Sequence, residues 1–93
     1  MIYTLPDVKK ALKGFLKEGF SIEKITISYA EFGEGFEVYV NVPMRDKWLN
    51  KEFEVFTMSE EEKESSAIKR CTRVSDSLIK QGYKVIYEGF ENC

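Results

Sequence analysis

The chain has 93 residues, 43% hydrophobic and 32% charged, which suits one globular domain and leaves little room for a deep catalytic cleft. Fourteen cations against sixteen carboxylates give a formal charge of -2, too even to predict bulk attraction to nucleic acid or a membrane. With no histidine and only Cys71 and Cys93, the commonest general base, the commonest metal ligand, a structural zinc site and a disulfide framework are all excluded.

Met1-Ile2-Tyr3-Thr4 lacks the basic segment and apolar run of a secretory leader, and no apolar run reaches membrane-spanning length. The expected compartment is the cytoplasm, that of a host cell if the protein is viral, and no membrane partner is expected.

The first predicted helix runs over about residues 5–18. Thr4 is placed to cap it, with Pro6 in the first turn and Asp7 three residues beyond the cap. Leu5, Val8, Leu12, Phe15 and Leu16 form one apolar stripe, while Lys9, Lys10, Lys13 and Lys17 take the other side. Gly19 is the predicted stop.

Three strands follow, over about residues 22–31, 36–42 and 52–58. The first alternates Ile25, Ile27 and Tyr29 with Lys24, Thr26 and Ser28. The second alternates Phe36, Val38, Val40 and Val42 with Glu37, Tyr39 and Asn41. Phe32-Gly33-Glu34-Gly35 joins them as a tight hairpin. Its Gly-x-Gly has no third glycine and no following helix, so it is not a phosphate loop. Pro43 is read as the end of the second strand, and residues 44–51 as a loop. In the third strand Phe53 and Val55 share one face, and Glu52, Glu54, Phe56 and Met58 share the other.

The second helix is predicted over about residues 60–81, with Ser59 and Glu62 as a capping box and Gly82 as the stop. Its apolar stripe holds Ala67, Cys71, Val74 and Leu78, so Cys71 reads as a small buried hydrophobe rather than a nucleophile. A short strand over about residues 83–87 completes an α-β-β-β-α-β domain of the α+β class. Both helices pack on one face of a mainly antiparallel sheet, and the right-handed crossover lays the last strand parallel to its neighbour.

The α-β-β-β-α order over about residues 5–81 resembles, in topology alone, the double-stranded RNA-binding domain. The resemblance implies a lysine cluster gripping phosphates at the start of the second helix. Here Glu60, Glu61, Glu62 and Glu64 stand there around Lys63, an arrangement that repels a phosphate backbone. Direct nucleic-acid binding through the first-helix lysines, Arg45, Lys47, Lys69 and Arg73 is therefore the second choice.

Two features point to a protein partner. A tryptophan in a charged loop, Trp48 with Arg45 beside it, pairs the two residue types most enriched at interface hot spots. On the open sheet face, Tyr39, Phe56 and Met58 stand among Glu37, Glu52 and Glu54. Rings among carboxylates suit a basic protein surface better than bare nucleic acid. The expected function is a non-enzymatic interaction module without cofactor, metal or catalytic residue. One concrete form is a phage or mobile-element inhibitor docked on a basic, nucleic-acid-binding surface of a host protein. Pairing of two copies through exposed strand edges is a third outcome.

Overall fold

The computed structural model describes residues 1–91, in the order α1 Leu5–Lys17, β1 Ser21–Ile22, β2 Ile25–Phe32, β3 Gly35–Arg45, β4 Lys51–Glu61, α2 Glu64–Lys80 and β5 Val85–Phe90. It is an α+β domain in which two helices share one face of a mostly antiparallel five-stranded sheet. The parallel pair is β2 with β5, as a crossover through α2 requires.

Local chemistry starts α1 as its sequence suggests. The Asp7 amide donates to Thr4 Oγ1 (3.3 Å) and the Thr4 amide to Asp7 Oδ2 (3.1 Å), closing a capping box. The hydrogen bonds with Thr4 hold the Asp7 carboxyl below its ordinary pKa. Each helix ends just before a glycine at positive φ, Gly19 at 96° and Gly82 at 94°.

The start of α2 departs from its sequence signal. Residues 59–61 continue β4, with Ser59 opposite Val38, Glu60 opposite Glu37 and Glu61 opposite Phe36. The helix starts at Glu64 behind Lys63, which caps it with no side-chain bond. Ladder pairing outcompetes the capping box, and Ser59 Oγ is left buried without a hydrogen-bond partner. Gly35 adds to the constraint, because a Cβ there would strike the Glu61 carbonyl oxygen. Tyr29 of β2 donates from its hydroxyl to Glu64 Oε2 (2.8 Å) and so ties the first turn of α2 to the sheet. That bond, together with desolvation, pushes the Tyr29 pKa up to about 12.

Pro43 does not end β3; it lies within it, opposite Phe53. β4 runs beside β3 as far as Arg45, so β1 occupies the same side of β3 as β2. The two form one line broken at Glu23 and Lys24. Pairing stops there between Ile22 opposite Met44 and Thr26 opposite Asn41, and Pro43, which has no N–H to offer, falls in the break.

One buried cluster joins the layers. Val8 and Leu12 of α1 and Ala67, Cys71, Val74 and Leu78 of α2 meet Ile25, Ile27, Tyr29, Val38, Val40, Val42, Phe56 and Met58 of the sheet. The cation-free stripes of both helices face this cluster, as their spacing predicts. Cys71 is fully buried, and desolvation raises its thiol to about 11, which rules out a ready thiolate. Cys93 lies outside the described residues.

Candidate protein-docking face

The register between β3 and β4 sorts the residues singled out by sequence. Residues directly opposite in an antiparallel pair point the same way. Val40 faces the helices, so its partner Phe56 does too. Phe56 is 6% exposed and meets the Tyr3 ring edge-on at 5.1 Å. Its placement on the open face is therefore corrected, as is that of Met58, which is buried in the same core. The third strand is apolar on both parities, and only the even set meets the helices, with Met58 absorbed by a bulge between Thr57 and Ser59.

The same register separates the three carboxylates expected to act together. Glu54 lies opposite Val42 and Glu52 opposite Met44, on the helix side, at a part of β4 left exposed. Glu37 lies on the open face opposite Glu60. An acidic and aromatic face combining Glu37, Tyr39, Glu52, Glu54 and Phe56 does not form.

What forms instead has two parts. At one end of the open face Tyr39 donates to Glu37 Oε1 (2.8 Å). Nearby, Asn41 Nδ2 donates to Ser28 Oγ (3.1 Å) and to the Thr26 carbonyl (3.4 Å), and Ser28 donates to Glu91 Oε2 (3.1 Å). This network satisfies the polar middle of the sheet. Towards the other end the face turns apolar, with Val55 opposite Asn41, Ile86 opposite Thr26 and Phe53 opposite Pro43. Phe53 is 60% exposed.

The apolar end continues into the β3–β4 connection, residues 46–50. Asp46 Oδ1 accepts from the Trp48 and Asn50 amides, both at 2.9 Å, and Asp46 Oδ2 accepts from Asn50 Nδ2 at 3.1 Å. Partial desolvation works against the Asp46 charge, but the bonds from Asn50 and Trp48 outweigh it and hold the carboxyl below its ordinary pKa. Arg45 braces the loop, donating from Nε to Glu23 Oε1 and from Nη1 to the Leu49 carbonyl, each at 3.3 Å. The loop so fixed holds Leu49 at φ 67°, a left-handed conformation that disfavours a branched side chain. It leaves Trp48 71% and Leu49 72% exposed, with Lys47 Nζ 4.7 Å from the Trp48 ring centroid. A cleft of about 420 Å³ beside the tip is walled by Pro43, Met44, Arg45, Glu52 and Phe53.

Of the sequence candidates, Arg45, Trp48 and Glu52 are thus gathered at one end, and Glu37 and Tyr39 towards the other. Sequence reasoning missed Leu49, Phe53, Val55 and Ile86. The signal for Phe53 and Val55 was present as strand alternation, assigned to the wrong face.

No family model matches the chain, and neither a curated protein nor a solved structure matches it. Among the described residues no helix is long and apolar enough to cross a membrane.

Proposed function

We propose that the chain is a small non-enzymatic protein-interaction module that docks through its open sheet face and the Trp48 tip. One observation carries the reading. A tightly hydrogen-bonded loop holds a leucine at positive φ and exposes Trp48 and Leu49, at the end of the sheet where Phe53, Val55 and Ile86 are exposed too. Backbone strain persists where surrounding structure over-determines it, and such sites concentrate at ligand clamps. Exposed apolar side chains gathered on one side mark an interaction surface, and Trp is the strongest hot-spot residue.

The partner's chemistry follows from the two halves. An apolar pocket receives Trp48 and Leu49, and cations meet Glu37, Glu60 and Glu91 at the Tyr39 end. A basic surface such as a nucleic-acid groove offers both, so occlusion of that groove is the mode of action we favour. The test is affinity capture from the native cell with wild type, the Trp48→Ala/Phe53→Ser variant and the Glu37→Lys/Glu60→Lys variant. A single protein captured by wild type and lost by both variants, with circular dichroism unchanged, is the expected result. Equal capture by the Trp48/Phe53 variant refutes the reading.

A further inference from the structure

The helices and the remainder of the chain carry opposite charge. α1 holds Lys9, Lys10, Lys13 and Lys17 against Asp7, and α2 holds Lys69, Arg70, Arg73 and Lys80 against Glu64 and Asp76. Eight cations against three carboxylates leave the helices at +5, so with -2 for the whole chain the remainder stands at -7. A mean charge near neutrality conceals this separation.

The helical cations share the outward sides of the two helices. At 100° per residue, Lys10, Lys13 and Lys17 lie opposite the buried Val8 and Leu12. Lys69, Arg73 and Lys80 likewise lie opposite Ala67, Cys71, Val74 and Leu78, with Asp76 the one carboxylate among them. All six cations are exposed, and both stripes point outward from the same side of the sheet. The only ion pair among the described residues is Arg45 with Glu23, so none of the eight helical cations is paired. Arg70 adds a buried Nε without a hydrogen-bond partner, beside a cleft of about 250 Å³ lined by Glu61, Ser66, Lys69 and Arg73.

We infer that the outer surface of the helix layer binds the phosphate backbone of a nucleic-acid duplex. Three arguments select this partner. The centres of the outward stripes hold no aromatic or aliphatic side chain, and the half-exposed Leu16, Ile68 and Ile79 are scattered on their flanks rather than gathered into the apolar centre that an acidic protein partner would need. Most of the apolar face of each helix is spent in the core, which leaves Leu16, Ile68 and Ile79 as single exposed side chains rather than a continuous apolar face to insert into a lipid surface. Cations on flexible stems without a hydrophobic centre gain affinity chiefly by releasing counterions from a dense row of phosphates. Glu37 and Glu60 lie on the far face of the sheet, across a helix of about 10 Å diameter, whereas Glu52, Glu54 and Glu61 stand on the helix side and offset part of the charge, Glu61 at the Arg70 cleft; the helices themselves stay at +5. With lysine supplying most of the charge, binding is independent of base sequence.

The experiment is fluorescence anisotropy of labelled 20-base-pair RNA and DNA duplexes with the full chain, between 50 and 200 mM salt. Vesicles containing phosphatidylserine serve as a second polyanion. Four to six phosphate contacts give a slope of log affinity on log salt of about -4 to -5, hence a loss of at least about 10²-fold across that range. Lys10→Glu/Lys13→Glu/Lys17→Glu abolishes duplex binding with the circular dichroism unchanged, and Trp48→Ala/Phe53→Ser binds as wild type. Absence of duplex binding at 50 mM salt overturns the inference, as does binding to vesicles alone. Insensitivity to the lysine reversals overturns it equally, and none of these outcomes bears on the sheet-face reading.

Discussion

Replacing Phe56 by alanine separates the observed core from the face that its neighbours in sequence suggest. Phe56 is only 6% exposed. Burying a phenylalanine is worth about 1.5–3 kcal/mol, and an unfilled cavity adds to the loss, so Phe→Ala in a core costs about 3–5 kcal/mol. The Tyr3 edge-on contact, about 0.5–1.5 kcal/mol, goes with it. β4 is an edge strand, so Tyr3 and α1 can settle partly into the space, and the expected loss is about 3–4 kcal/mol. Against a total stability of about 5–14 kcal/mol for a domain of this length, the variant folds but is marginal. Phe53→Ala, at a site 60% exposed, costs about 0.5–1 kcal/mol. Urea unfolding followed by far-ultraviolet circular dichroism resolves the pair, since about 3 kcal/mol moves the midpoint by roughly 2 M. Trp48 fluorescence is a poor probe because the ring is 71% exposed in the folded chain. A Phe56 variant that loses no more than the Phe53 variant would refute the register and the core built on it.

Leu49→Gly should raise stability by about 0.5–1 kcal/mol, since relief of the left-handed leucine, about 1–2 kcal/mol, exceeds the extra freedom glycine brings to the unfolded chain. The same variant should weaken partner capture, and urea unfolding set beside capture shows whether the two effects part. Tyr29 holds its proton more tightly in the folded chain, with its pKa raised from 10.0 to about 12. Its contribution is therefore complete below pH 10 and is lost as pH rises towards 12. Tyr29→Phe should lower stability at pH 7 by removing the bond to Glu64, yet lose less between pH 9 and pH 11; an unchanged pH dependence would count against the Tyr29–Glu64 contact.

Periodicity made the helices, the β2–β3 hairpin and the inward set of β3 legible. In each of these one parity or one stripe is plainly apolar, as with Val38, Val40 and Val42 against Glu37, Tyr39 and Asn41. The parallel β5 followed from crossover geometry. β4 was not legible because Phe53 and Val55 compete with Phe56 and Met58, and the winner is decided across the ladder by Val40 and Val42. The start of α2 failed for a related reason. Ser59 and Glu62 form a local signal worth about one hydrogen-bonded cap, and pairing of residues 59–61 with β3 overrides it. At the docking face, Trp48 and Arg45 stood out by residue type. Leu49 did not, because its φ is set by the Asp46 and Arg45 bonds rather than by its own preference.

The opposite signs of the helices and of the remainder of the chain make the molecule a permanent dipole. Its isoelectric point near 5.2 describes only the average. At pH 7 such a molecule adheres to a cation exchanger by one wall and to an anion exchanger by the other. In the field gradient close to any charged surface it rotates before it makes contact, so the sign of that surface selects which wall arrives first.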